Sequence, residues 1–239
     1  MKTRCGNISV GKVMKLKRGI FFDLDGTLVD NEHLKARAFS EAIVKLGGKS
    51  HPSIYKEVMG MNGSVIRKHF WDRAGIQIDP EAYIQACQSI YARLLQSDLA
   101  IKPGAVQFLS EAKRKGLHLA LVSGASSISV THIVNALNLG RFFDFVIASE
   151  DVTNKKPNPQ CYLLAMEKML ATNERVIVFE DTEAGLKAAN SAGIVSICMR
   201  HPYNLSHDQS KAVAEYYSFE TSFVSICKKI NSIFNDEIF

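Results

Sequence analysis

The chain has 239 residues, 46% of them hydrophobic and 22% charged, which excludes disordered, collagenous and coiled-coil classes and suits one α/β domain with an insert or two small domains. Its formal charge of +5 belongs to one end. Residues 1–22 hold Lys2, Arg4, Lys12, Lys15, Lys17 and Arg18 and no acid, leaving 23 basic against 24 acidic groups in the rest. A near-neutral body with a basic tail offers no face for nucleic acid.

Five cysteines, Cys5, Cys87, Cys161, Cys198 and Cys227, are scattered and never form a CxxC pair. They outline neither a disulfide framework nor a structural zinc site, and they fit a reducing, cytoplasmic compartment. No secretory signal is legible at the N-terminus. Residues 116–140 lack Asp, Glu, Lys and Arg, but Ser123, Ser126, Ser127, Ser129, Asn135 and Asn138 interrupt them. This stretch reads as a strand and a helix, not a membrane span.

In chain order, short apolar runs alternate with helical segments, the pattern of βαβ units and a parallel sheet. The first expected strand covers 20–24. From 33 to 98 the alternation stops. Leu34, Ala38, Ala42 and Leu46 recur at helical spacing until Gly47-Gly48. A second helix is expected over 64–74, and a third begins with Asp79 as N-cap and Pro80 at the first helical position. Beyond this insert, strands are expected at 118–122, 145–148, 176–179 and 194–198, with a weak one at 214–219. Pro103-Gly104, Asn158-Pro159 and Thr182 mark helix starts between them, and a final helix ends the chain. The reading is α/β: a parallel-sheet core (18–32 and 99–239), an all-helical cap (33–98) and a basic tail (1–17).

The first strand runs into Asp23-Leu24-Asp25-Gly26-Thr27. In a strand, residues i and i+2 point the same way, so Asp23 and Asp25 address one point beyond the carboxyl edge, where open α/β sheets bind ligands. The fourth run ends in Glu180-Asp181 at the same edge. Four carboxylates close together cannot all stay ionised without a cation, and an all-oxygen donor set favours a hard ion such as Mg²⁺. Ser123-Gly124 at the end of the second run is a small turn suited to an anion. Lys155-Lys156 precedes a helix start.

These residues together, in this order, resemble the haloacid dehalogenase superfamily, in its β-phosphoglucomutase-like branch with a helical cap. DLDGTLVDNE at 23–32, VSGAS at 122–126, KKPNP at 155–159 and EDTEAGLKAANSAG at 180–193 resemble the four family motifs. The resemblance implies a Rossmann-like core and phosphatase chemistry on phosphorylated metabolites, sugar or polyol phosphates first and nucleotide-like monophosphates second. It implies Asp23 as nucleophile and Asp25 as general acid and base. Ser123, Gly124 and Lys156 would bind the phosphoryl group. Mg²⁺ would be held by Asp23, the Asp25 main chain and Asp181, with Glu180 ligating directly or through water.

Two positions depart from the mutases of this branch. Lys35 stands near an expected His, and Gly63 stands where a cap Arg is expected, so hydrolysis is preferred to hexose-phosphate mutation. A non-catalytic binding or regulatory protein on the same fold is the alternative from another class. Asn62 and Arg67, with His69, Phe70 and Trp71, are the cap candidates for substrate contact. The expected partner is a small phosphorylated metabolite, with no nucleic acid and no membrane, and the chain is expected to be a monomer or small homo-oligomer.

Overall fold

The apolar run at the head of the described chain forms β1 (Gly19–Phe22), buried along its whole length. The computed structural model describes residues 16–239, so the basic tail lies outside the described residues except for Leu16 and Lys17. β1 pairs in parallel with β2 (His118–Val122) and with β4 (Val176–Glu180). β3 (Phe145–Ile147), β5 (Val195–Met199) and β6 (Ala214–Tyr216) extend the sheet in the order β3-β2-β1-β4-β5-β6, all parallel. Chain direction from β1 diverges on its two sides, and such a reversal opens a crevice at the carboxyl edge.

Alternate residues of the central strands enter opposite apolar layers. Ile20, Phe22, Leu119, Leu121, Ile177 and Phe179 pack on one face, and Phe21, Ala120, Val122 and Val178 on the other. Burial on both faces is why these strands read as continuous apolar runs. Phe22 stacks on Phe179 with ring centroids 5.2 Å apart, and Phe108 and Phe219 extend that cluster.

Between β1 and β2 the chain forms α1 (Glu32–Lys45), α2 (Gly63–Asp72), α3 (Pro80–Asp98) and α4 (Ala105–Arg114). The first three, with a 3-10 turn over Pro52–Glu57 that the sequence did not announce, make the helical insert. Phe39 of α1 stacks on Tyr55 and Phe70, which belong to the same apolar cluster as the Phe22 face of the sheet. The Asp79 carboxylate accepts from the Ala82 N–H at 2.7 Å, as an N-cap should. The remaining helices are α5 (Ser127–Ala136), α6 (Gln160–Met169), α7 (Glu183–Ser191) and α8 (Phe223–Phe234).

Boundaries differ from the sequence reading at a few points. β1 stops at Phe22 instead of 24, because the chain leaves the ladder for the turn around Gly26, where φ is +77°. α6 starts one residue late: Asn158 still accepts from the Gln160 N–H at 3.0 Å, but Pro159 stands outside the helix. Among the described residues no helix is long and apolar enough to cross a membrane.

Candidate active site

Asp23 follows β1 directly, and its N–H still donates to the Phe179 carbonyl at 2.9 Å. The ladder thus fixes this carboxylate at the carboxyl edge of the sheet. Lys156 reaches it from the loop before α6, with Nζ 2.7 Å from Asp23 Oδ1, 2.6 Å from Glu180 Oε1 and 3.0 Å from the Val122 carbonyl. Burial works against the ammonium, but Asp23 and Glu180 outweigh it and hold its pKa well above the ordinary lysine range. Burial, opposed by Lys156 and reinforced by Glu180 and Asp181, pushes the Asp23 carboxyl well above the usual carboxylate range. Lys155 has a different task, donating to the Ser149 and Val152 carbonyls.

Glu180, expected to ligate a cation directly or through water, is surrounded by protein donors. Its side chain is fully buried, and five donors occupy its two oxygens: Lys156 and the Tyr162 hydroxyl on Oε1, and the Asp181 N–H, Thr182 N–H and Thr182 hydroxyl on Oε2. The structure makes it the anchor of Lys156. Gly185 is part of this arrangement, since a Cβ there would overlap the Glu180 carboxylate.

Asp181 is fully buried beside it. The Thr27 hydroxyl donates to Oδ1 at 3.2 Å, and His201 Nε2 lies 2.9 Å from Oδ2. Asn204 Nδ2 donates to the Asp181 carbonyl at 2.8 Å. Burial and repulsion by Glu180 push this carboxyl well above its ordinary range. Burial also pushes His201 down to about 4, so its ring is neutral near pH 7. Gly26 leaves room for Asp181, because a Cβ at that position would collide with Oδ2.

Asp25 lies past the end of β1, so strand alternation does not set its direction as the sequence suggested. Asn31 Nδ2 donates to one oxygen, and Lys35 Nζ lies 3.0 Å from the other. Lys35 also pairs with Glu32 at 2.6 Å, and Glu32 accepts from the Tyr55 hydroxyl at 2.8 Å. Burial opposes the Lys35 charge, but Asp25 and Glu32 raise its pKa well above the lysine range. The four expected carboxylates are therefore divided. Asp23 and Glu180 share the Lys156 ammonium on the core side with Asp181 beside them, while Asp25 is held by groups of the linker and α1.

A cavity of about 630 Å³ opens over Asp23 and Asp25 and is lined also by Ser123, Gly124, Lys156 and Arg67. The Ser123 hydroxyl accepts from the Ala125 N–H at 3.1 Å, and space is open on the side of Gly124 where a Cβ would stand. The cap candidates separate. Asn62 and Arg67 line the cavity, although Asn62 Oδ1 also caps α2 through the Ser64 N–H. His69 pairs with Glu57 at the surface, Phe70 is fully buried, and Trp71 packs against the apolar core. None of those three lines the cavity.

Sequence reading missed Asn31, Glu32, Tyr55 and Tyr91 on the cavity side and His201 and Asn204 behind Asp181. Tyr55, Tyr91, His201 and Asn204 meet partners 20 or more positions away, so no local spacing exposes them, whereas Asn31 and Glu32 sit within the 23–32 motif close to Asp25 and Lys35. The loop that carries His201 also reaches the insert. The Tyr203 ring meets Tyr55 edge-on at 5.9 Å, Lys56 Nζ lies 5.8 Å from the Tyr203 centroid, and His207 Nε2 meets the Lys56 carbonyl at 3.1 Å.

The donor set suits a hard cation. Asp23 and Asp181 are buried carboxylates with raised pKa values, and of the two Asp23 alone pairs with an ammonium among the described residues. Among the described residues the Asp25 carbonyl accepts no hydrogen bond, and no three His, Cys, Asp or Glu side chains form a ready cage. Asp23, Asp181 and the Asp25 carbonyl are the oxygen donors here that could hold a hard cation.

A family model described as haloacid dehalogenase-like hydrolase matches residues 20–199. The chain belongs to that family. Similar members of this hydrolase family include a phosphorylated carbohydrates phosphatase from Thermotoga maritima, 29% identical over 74% of this chain and 82% of its own. Protein CbbY from Cereibacter sphaeroides is 31% identical over 73% of this chain and 80% of its own. The crystal structure of CbbY from Rhodobacter sphaeroides in complex with phosphate superposes with a TM-score of 0.74 at 28% identity, covering 87% of this chain and 96% of that one. The haloacid dehalogenase-like chain described here is an enzyme of the phosphatase type.

Proposed function

We propose that the protein is a Mg²⁺-dependent phosphomonoester hydrolase that acts on sugar or polyol phosphates through an aspartyl-phosphate, with 33–98 serving as the cap. The observation that carries this reading is the pairing of Asp23 with Lys156 beneath a cavity that Asp25 faces from the linker side. Asp23 Oδ2 has no protein donor among the described residues and is the oxygen free to attack phosphorus. In the first step the Asp23–phosphorus bond forms, the phosphorus–oxygen bond to the sugar breaks, and Asp25 delivers a proton to the departing oxygen. In the second step Asp25 takes a proton from water, water oxygen bonds phosphorus, and the Asp23–phosphorus bond breaks to release inorganic phosphate. Lys156 supplies fixed positive charge, and Ser123 and the Gly124 amide contact the phosphoryl oxygens.

Asp23, Asp181 and the Asp25 carbonyl would hold Mg²⁺. When bound it screens the carboxylate nucleophile from the phosphoryl anion. Chelation abolishes turnover, and Mg²⁺ restores it better than Ca²⁺, whose longer and looser coordination fits in-line attack poorly. Highest activity with Zn²⁺ at matched occupancy would refute this donor set. The decisive functional assay follows a labelled hexose 1-phosphate. Release of inorganic phosphate without a bisphosphate activator is expected, because Gly63 carries no side chain to hold a second phosphate. Conversion to the 6-phosphate outrunning that release would restore the mutase reading.

Arg67 lines the cavity half-buried and forms no ion pair among the described residues. A guanidinium so placed suits a hydroxyl-rich group on the substrate. Arg67→Ala raises KM by roughly 10-fold or more for the best substrate, the size of a lost charge-assisted hydrogen bond, while kcat changes less. A fall in kcat at unchanged KM, measured by steady-state phosphate release, would remove Arg67 from the binding surface.

A further inference from the structure

The loop from β5 to β6 buries His201, Asn204 and Gln209. Buried polar side chains in an irregular connection are costly unless they satisfy something. Here two of the three serve one residue. Asn204 Nδ2 bridges the carbonyls of Asp181 and Met199 at 2.8 and 2.9 Å, tying the turn after β4 to the end of β5. The Asn204 carbonyl oxygen Oδ1 accepts from the His201 N–H at 3.0 Å, and Gln209 Nε2 donates to the Asn204 main-chain carbonyl at 3.0 Å. The ring of His201 is thereby carried to Asp181 on a fixed backbone.

The ring itself has one arrangement of its proton that satisfies both nitrogens. Nδ1 lies 3.3 Å from the Tyr203 N–H and accepts from it, which leaves the proton on Nε2. Nε2–H then donates to Asp181 Oδ2 at 2.9 Å. With Thr27 donating to Oδ1, each Asp181 oxygen receives one donor and keeps a second lone pair. Two donors on opposite oxygens fix the carboxylate plane, and Gly26 lies against Oδ2 where any Cβ would displace it.

From this geometry we infer that His201 is a positioning residue that orients the Asp181 carboxylate for divalent cation binding. The inference rests on the reading of Asp181 as a metal ligand given above. A group that orients a metal-binding side chain is typically worth about 10–100-fold in metal affinity. That effect acts on binding and not on the chemical step alone.

The experiment measures the Mg²⁺ dissociation constant directly, by isothermal titration calorimetry on the full chain, beside the thermal midpoint in chelator. His201→Leu removes the donor and is expected to weaken Mg²⁺ binding at least about 10-fold. His201→Gln, whose amide nitrogen reaches the place of Nε2, is expected to stay within about threefold of wild type, and the shorter His201→Asn to behave like His201→Leu. Asp181→Ala is the reference for a lost ligand. If Asp181→Ala loses Mg²⁺ binding but folded His201→Leu keeps the wild-type constant, the positioning role is overturned and the metal reading stands. If Asp181→Ala itself binds Mg²⁺ like wild type, the metal reading falls. Should His201→Leu fail to fold, the Gln and Asn variants decide: equal constants for those two would overturn the role. A drop in thermal midpoint with unchanged Mg²⁺ affinity would mark His201 as purely structural and likewise overturn it.

Discussion

Asp23→Asn lowers phosphate release by at least about 10³-fold, the scale seen when a nucleophile is removed, and leaves the fold intact. Asparagine keeps the shape of the side chain, and Lys156 retains Glu180 at 2.6 Å, so no charge is orphaned. The same substitution raises the stability of the metal-free protein near neutral pH. In the unfolded chain Asp23 ionises near 3.8, whereas burial and then its acidic neighbours hold the native carboxyl well above that. Over that window the native state binds more protons than the unfolded one, so this residue's contribution is present at low pH and is lost as pH rises through the native pKa. Asparagine does not titrate and escapes the loss. Calorimetry in chelator from about pH 5 to 8 shows a higher, flatter thermal midpoint for the variant. Retention of more than a few per cent of wild-type turnover would end the aspartyl-phosphate mechanism.

Lys156→Met has the opposite consequence for stability. Among the described residues its ammonium is the one cation within salt-bridge reach of both Asp23 and Glu180, and Glu180 is fully buried. Removing one partner from a buried ionic cluster costs about 3–5 kcal/mol, which corresponds to a loss of roughly 6–20 °C in Tm for a chain of this size. Turnover falls as well, by about 10²–10³-fold for one lost electrostatic contact to the reacting group. Adding Asp23→Asn and Glu180→Gln recovers much of the midpoint and none of the activity. A single Lys156→Met variant melting within about 2 °C of wild type, where one kcal/mol is worth about 2–4 °C, would contradict this account of the buried cluster.

The central strands were legible because burial on both faces leaves an uninterrupted apolar signature, as in β2, which matches its expected 118–122. Helix starts were legible where a side chain caps a free N–H, as Asp79 and Thr182 do. The motif carboxylates were visible, but their division of labour was not. Nothing in the order Glu180-Asp181 tells that the first turns inward to five donors while the second faces Gly26. Lys156 could be told from Lys155 only through the adjoining proline of the family motif. Among the cap candidates, helical spacing sends Phe70 inward and leaves Trp71 packed on the core, away from the cavity that Asn62 and Arg67 line. His201 and Asn204 were invisible for a different reason: a polar residue in a loop reads as solvated until the fold delivers a buried partner 20 or 23 positions away.

The contacts of Tyr203 and His207 with Tyr55 and Lys56 bear on how this enzyme can be recombined with its relatives. The helical insert is contiguous in sequence, and exchanging 33–98 alone is the obvious way to transplant specificity. Here such a chimera would strip Tyr203 of its aromatic neighbour and leave His207 facing a foreign backbone, on the same loop that steadies Asp181. The inheritable unit is therefore discontinuous: the insert and the loop from 201 to 207 have to travel together for a graft to keep the contacts around Asp181.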